Sequence, residues 1–392
     1  MLILSINAGS SSLKFTGYQM PEEKVLISGL FERIGINNSI YTIKIKGEKI
    51  KKEFDLPNHE VAIKKLLEEL LNYQVINKYE DIKAVGHRVV HGGEKYTDSV
   101  IIDDDVITTI KELSSLAPLH NPANLIGIKV FKDILPNVTN VAIFDTAFHQ
   151  TMPPFSYIYP VPYEWYQKYQ IRKYGFHGTS HKYIYEEISK QLNRNDLKVI
   201  SCHLGNGGSI TAIDSGKVLD TTLGFTPLPG VMMGTRCGDI DPSIIPYIME
   251  KENKSIEEVM NDLNKQSGLL GVSQLSSDSR DIEEGVNKNN EQCVLAEEMY
   301  ERKIVNYISQ YYCLLNKPDV ICFAGGIGEN GIHVRKNIIE KLKVFGINVD
   351  EEKNDVRGKF TKISTSNSSV DCFVVPTDEE VMIARDTYQL VK

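Results

Sequence analysis

Three short apolar runs lead into loops of small residues: Ile6 into NAGSSS, His203 into LGNGGS, and Phe323 into AGGIGEN. Glycine lets backbone N–H groups close on an anion, and serine hydroxyls add donors, so three such loops together predict a nucleotide cleft. No GxxxxGK[ST] segment occurs, which excludes a Walker-type phosphate loop. HRVVHGG at 87–93 lacks the HRD pattern and no DFG occurs, which excludes a protein-kinase fold. Gly326-x-Gly328-x-x-Gly331 matches the dinucleotide-binding pattern without an acidic partner at the usual spacing, so a dehydrogenase is a minor competitor. Two HxxxH pairs invite a metal. His177 and His181 lack the glutamate of a zinc-protease helix, and His87 and His91 fall on a strand, so both read as hydrogen-bonded structural histidines. On that strand Arg88 and Val90 share a face, a cation beside an apolar side chain.

These residues need elements to place them. Short β-branched runs at 2–6, 84–90, 141–144, 199–203, 320–323 and 372–375 alternate with amphipathic segments, which is α/β patterning. Ile63, Leu66, Leu67, Leu70 and Leu71 form one helical face; Ser255 and Glu258 fit a capping box; the segment 293–315 reads as a long helix. LILSINAGSSSLKFTGY and VISCHLGNGGSITAID share a strand–turn–strand plan, with Asn206, Gly208 and Ser209 standing where Asn7, Gly9 and Ser10 stand. That echo predicts two related halves. Each opens with a hairpin, so neither sheet should be purely parallel.

Composition narrows the partners. The chain has 44 Lys plus Arg against 52 Asp plus Glu, a net charge of -8, which disfavours nucleic acid and anionic membranes. A length of 392 residues exceeds one ordinary core and suggests two domains. Six cysteines without CxxC or zinc-ligand spacing read as reduced thiols. The N-terminus reads as a strand and not a signal peptide, and no run is long enough to span a membrane. The expected location is the cytoplasm.

Longer motifs carry a resemblance. NAGSSSLKF at 7–15, GHRVVHGG at 86–93, FDTAFH at 144–149 and YGFHGTSH at 174–181 are similar to signatures of the acetate kinase family. So are HLGNGGS at 203–209, DTTLGFTPLPGVMMGTRCGDIDP at 220–242, AGGIGEN at 324–330 and PTDEE at 376–380. The resemblance spans the chain in order. It implies an α/β fold of two duplicated ribonuclease-H-like domains of the actin, sugar-kinase and Hsp70 type, with the active site in an interdomain cleft. The expected boundaries are 1–147 plus 381–392 for the first domain and 148–380 for the second, nucleotide-binding one.

The implied reaction moves the γ-phosphoryl of ATP onto acetate, reversibly and with Mg²⁺ (or Mn²⁺), giving acetyl phosphate and ADP in a homodimer. A carboxylate is ionised at pH 7 and needs no general base; two anions meeting in line need charge neutralisation. By the resemblance, Arg88 and Arg236 bracket the carboxylate and the moving phosphoryl, and His177 donates to an equatorial oxygen. Asp145 matches the essential acid, with an orienting role favoured over a base. Asn7 and Glu379 are the implied metal ligands. Thr377 and Glu380 fit a T-x-x-E capping box, which would occupy Glu380 and leave Glu379 free. The implied nucleotide contacts are Lys14; His203, Leu204, Gly205, Asn206 and Gly207; Asp278, Ser279 and Arg280; and Gly326, Ile327, Gly328, Glu329 and Asn330. Ser279 stands where many relatives carry a bulky residue. Gly326 leaves room for a nucleoside, which favours ATP over pyrophosphate. Val90, Leu119, Phe176 and Pro227 are the implied walls around the substrate methyl. Propionate or butyrate as substrate, and a non-catalytic nucleotide-binding scaffold, are the remaining alternatives.

Overall fold

The computed structural model describes residues 1–118 and 120–392, and its chain divides into two compact units. The first comprises Met1–Gln150 and Asp378–Lys392, the second Thr151–Thr377.

The first unit is built on β1 (Leu2–Ala8), β2 (Ser12–Gln19), β3 (Lys24–Glu32), β4 (Ile40–Ile45), β5 (Glu48–Glu53), β6 (Ile82–Val89), β7 (Val100–Ile101) and β8 (Thr139–Phe144). They order as β5-β4-β3-β2-β1-β6-β8-β7. Strands β1 to β5 pair antiparallel, and β1, β6 and β8 run parallel. The edge strand β5, EKIKKE, exposes its charges, which protects the open edge from further pairing. The helix His59–Asn72 buries Ile63, Leu66, Leu67 and Leu70 in the same core as β1 and β3, while Leu71 is only half-buried. Asn58 starts that helix by accepting from the Val61 amide.

The C-terminal helix, Glu379–Val391, packs on β1, β6 and β8. Gly86 permits this close approach, because a Cβ there would strike Thr387 and Ile383. His87, one residue on, is buried with Nε2 2.7 Å from Asn140 Oδ1. Burial pushes its pKa down to about 4. Below about pH 6.5 the unfolded chain binds a proton that the folded chain refuses, so this stabilisation is lost as pH falls towards 4. Between those limits the wild type should lose up to about 3 kcal/mol more than a His87→Gln variant. Urea-unfolding stabilities that fall equally with pH in the two proteins would reject that assignment.

The second unit holds β9 (Lys198–Leu204), β10 (Gly208–Asp214), β11 (Lys217–Thr221), β12 (Val320–Ala324), β13 (Thr361–Lys362) and β14 (Asp371–Val374), ordered β11-β10-β9-β12-β14-β13. Here β9, β10 and β11 are antiparallel, and β9, β12 and β14 are parallel. The series β3-β2-β1-β6-β8 therefore repeats as β11-β10-β9-β12-β14, with a hairpin turn at 9–11 and at 205–207. The NxGS echo is three residues out of step with it, since Asn7 lies in the end of β1 whereas Asn206 lies in the turn and Ser209 in β10. An antiparallel hairpin in this position is not the parallel sheet of a dinucleotide-binding dehydrogenase, which removes that competitor. The helix Glu291–Leu314 starts on Asn290, which accepts from the Gln292 and Cys293 amides. The expected box at Ser255 and Glu258 is formed. Among the described residues no helix is long and apolar enough to cross a membrane.

Candidate active site

In the first unit, parallel pairing brings the carboxyl ends of β1, β6 and β8 together, so Asn7, Arg88 and Asp145 become neighbours. Arg88 Nε donates to Asp145 Oδ1 at 3.0 Å and Oδ2 at 3.1 Å, and Nη2 donates to Oδ2 as well. This fork is the geometry in which guanidinium and carboxylate bind most strongly. Asp145 is 1% exposed, while the Arg88 side chain keeps 22% of its surface. Arg88 Nη1 also donates to Asn7 Oδ1 at 3.4 Å. Burial works against the Arg88 charge, but Asp145 outweighs it and raises the pKa. Val90 is buried just beyond β6, its amide donating to Asn124 Oδ1 at 3.1 Å; Leu119 lies outside the described residues.

The C-terminal helix adds Glu379 and Glu380. Burial lifts the Glu379 pKa to about 7, against the pull of Arg88. The expected capping box is not formed. Asp378 caps the helix, its Oδ1 accepting from the Val381 amide at 2.9 Å, because Thr377 Oγ1 is engaged with Ser180 Oγ at 2.9 Å. Glu380 is bound to Lys14. Lys14, expected at the nucleotide, is thus an ion-pair partner in the first unit.

In the second unit, His177 begins the helix Gly178–Leu192 in the left-handed conformation, φ 58° and ψ 26°. A non-glycine residue held there is the kind of backbone strain that concentrates at functional sites. Its ring lies 4.5 Å from that of His203, and its Nδ1 lies 2.9 Å from Ser209 Oγ. Gly207 has no side chain where one would crowd this edge: a Cβ would sit 3.4 Å from Arg236 Nη1 and 3.7 Å from His177 Nε2. Arg236 donates to the Pro227 carbonyl at 3.2 Å, and burial lowers its pKa. Among the described residues no carboxylate pairs with it. Phe176 is buried next to His177.

Two residues back from Gly207, a cavity of about 680 Å³ opens, lined by Gly205, Asn206, Asp278, Ser279, Arg280, Gly326, Ile327 and Asn330, all expected at the nucleotide. A Cβ at Gly326 would meet open space. The expected loop 326–330 is a helical turn, Gly325–Asn330, and Asp278 caps the helix Ser279–Asn287. Asp278 is held at a pKa of about 2 by Arg280, whose Nε lies 3.0 Å from Oδ1. Other expected contacts do not line the cavity. His203 Nδ1 meets Ser180 Oγ at 2.8 Å, and Leu204 is core. Gly328 packs on the Phe323 backbone, and Glu329 Oε1 accepts from the Gly325 and Thr377 amides, both at 3.0 Å.

Ser277, Glu283, Gly331 and Arg357 also line the cavity and were not read from the sequence. Glu283 had a signal, standing one helical turn after Arg280. Arg357 had none: it reaches the Asn330 carbonyl from a distant segment. That segment is tied down by fully buried Arg335, which donates to Gly328 O at 2.9 Å and Val356 O at 2.8 Å.

A separate group, Glu297, Glu301 and His333, brings its possible metal-ligating atoms within 4.8 Å. Lys341 and Asn337 already occupy Glu301, at 2.5 and 2.7 Å, which makes an ion-pair cluster.

The acetokinase family's sequence model matches residues 2–385. The chain belongs to the acetokinase family. Acetate kinase of Bacillus subtilis (strain 168) is 54% identical over 392 residues, covering 100% of this chain and 99% of that protein. The crystal structure of Porphyromonas gingivalis acetate kinase has a TM-score of 0.96 at 43% identity, covering 100% of both chains. A propionate kinase from Francisella tularensis has a TM-score of 0.94, also at 43% identity over 100% of both chains. The duplicated sheet order described above is the fold these acetokinases share, of the actin and sugar-kinase type.

Proposed function

We propose that this chain transfers the γ-phosphoryl group of ATP to acetate, reversibly, giving acetyl phosphate and ADP. The observation that carries this reading is the approach of Arg236 Nη1 and His177 Nε2 to the bare backbone at Gly207, next to Asn206 of the cavity. Two donors beside a glycine-rich turn suit a phosphoryl group whose charge spreads over three oxygens. Arg88, oriented by Asp145, presents its guanidinium to the carboxylate of the acceptor. Val90, Phe176, Pro227 and Leu119 are the residues we assign to its methyl group. The cavity with Gly326 open takes the nucleoside of ATP, and Arg280 stands in its lining. A coupled assay for ADP release with acetate tests the function; no turnover with any short-chain acid would sink it. Propionate stays a second reading because of the propionate kinase likeness, and one methylene is worth only about 1–3 kcal/mol in an apolar pocket. Comparing kcat/KM for acetate, propionate and butyrate decides it.

The residues present fit Mg²⁺. Asn7 and Glu379 offer the oxygen ligands a hard cation takes, and Glu379, lifted to about 7 by burial, lacks the positive charge that a divalent ion would bring. Bound there, Mg²⁺ (or Mn²⁺) would neutralise phosphate charge. Glu379→Gln should raise the Mg²⁺ concentration for half-maximal activity by more than the roughly 10–100-fold typical of losing an outer-shell partner. An unchanged Mg²⁺ titration would remove Glu379 from the site.

We also infer a homodimer and a cytoplasmic location, where ATP is available, with neither nucleic acid nor membrane as partner. Exposed Phe155, Tyr163, Trp165 and Tyr169 form an aromatic-rich surface segment that supports self-association. A sedimentation mass of a single chain would reject it.

A further inference from the structure

The polar atoms behind His177 continue for three more residues. Ser209 Oγ lies 2.9 Å from His177 Nδ1 and 2.8 Å from His181 Nε2, and His181 Nδ1 lies 2.8 Å from Ser201 Oγ. Ser201, His181 and Ser209 are each 0% exposed. The two hydroxyls have no other hydrogen-bond partners among the described residues.

Proton counting selects one direction through this chain. If His177 Nδ1–H donated to Ser209, then Ser209 would donate to His181 Nε2 and His181 Nδ1–H to Ser201. The Ser201 proton would then be left buried with no acceptor. A buried donor in that state has given up its hydration with nothing in return, the arrangement folded proteins avoid. In the opposite direction every proton is used. Ser201 O–H donates to His181 Nδ1, His181 Nε2–H donates to Ser209 Oγ, and Ser209 O–H donates to His177 Nδ1. That leaves the His177 proton on Nε2, the nitrogen beside Gly207 and Arg236.

We propose that Ser201, His181 and Ser209 are positioning residues that hold His177 neutral with its proton on Nε2, poised to donate to a phosphoryl oxygen. The nearby Arg236 guanidinium favours the neutral ring for the same reason, since a second cation at Gly207 would be repelled. The relay rests on the role proposed above for His177. It extends that role by explaining why a histidine, which has two tautomers, can serve as a fixed donor.

The test is a two-bond ¹H–¹⁵N spectrum of the full-length protein with ¹⁵N-labelled histidine, His177 being assigned by the signals lost in His177→Gln. The Nε2–H pattern is expected, and an Nδ1–H pattern overturns the proposal. Ser209→Ala should mix the two tautomers and lower kcat at least about tenfold, because a wrong tautomer can cost up to about 10⁴. KM for acetate and ATP should stay within about threefold, and Ser209→Thr, which keeps the hydroxyl, should restore both spectrum and rate. An unchanged kcat in folded Ser209→Ala also overturns it. Should Ser209→Ala not fold, Ser201→Ala at the far end replaces it, with the same shift expected; an unshifted His177 spectrum there counts against the relay. The wild-type spectrum reads the tautomer whether or not acetate is phosphorylated, so failure of the functional reading is seen separately in the ADP assay.

Discussion

Replacing Arg236 with alanine is expected to lower kcat by at least about 10²–10³-fold, the effect of removing one preorganised transition-state donor. Thermal stability should stay level or rise. The asymmetry follows from what Arg236 touches. Its guanidinium donates to the Pro227 carbonyl at 3.2 Å and approaches Met233 Sδ at 3.8 Å, with no carboxylate partner among the described residues. Burial disfavours its charge, so in the resting protein the side chain is an electrostatic cost. A cation kept under those conditions is compensated only when an anion arrives, and in the reaction proposed above the transferring phosphoryl is that anion. Removing it strands no buried acid, so the fold loses little. Arg236→Lys should recover little activity, because an ammonium cannot reproduce the planar fork. Kinetics and a melting curve on the same preparations check this. A kcat within threefold of wild type, or a fall in Tm matching the loss of rate, would remove Arg236 from the chemistry.

That distinction between fold and site also governs what the residues revealed before the structure. The NxGS echo at Asn7 and Asn206 was legible because a hairpin is a local event, set by turn residues and alternating apolar positions. It carried the topology with it, since β1 and β9 each take a parallel neighbour on the other side. The helix cap at the C-terminus was misread for the opposite reason. Thr377 and Glu380 satisfied a local pattern, but the Thr377 hydroxyl is bound to Ser180, 197 residues away, and Asp378 took its place. Arg357 and Arg335 were invisible because their partners lie on segments that only tertiary packing brings together. The relay behind His177 was half-visible. The HxxxH spacing of His177 and His181 could be seen, whereas Ser201 and Ser209 join them only through the pairing of β9 with β10.

The opposite balance of stability and rate is expected at Arg88. Arg88→Ala should abolish most activity and also destabilise the fold by about 3–5 kcal/mol, the cost of stripping one partner from a buried pair. Asp145 is 1% exposed and takes Nε on both oxygens at 3.0 and 3.1 Å, so that guanidinium is one of the groups that hold its charge out of water. Glu379 would suffer too. Arg88 is the largest influence lowering its pKa, so without it the carboxyl should hold its proton to higher pH and bind a divalent cation less readily. Asp145→Asn should cost less stability than Arg88→Ala, because the Arg88 side chain retains 22% of its surface and can be hydrated. The double variant Arg88→Ala/Asp145→Ala should be less destabilised than the sum of the two alanine variants, since the second change removes the charge that the first exposed. Urea unfolding of the four proteins in that cycle measures the coupling. Additive losses would mean that Asp145 does not depend on Arg88, and the orienting role of Asp145 would fall with them.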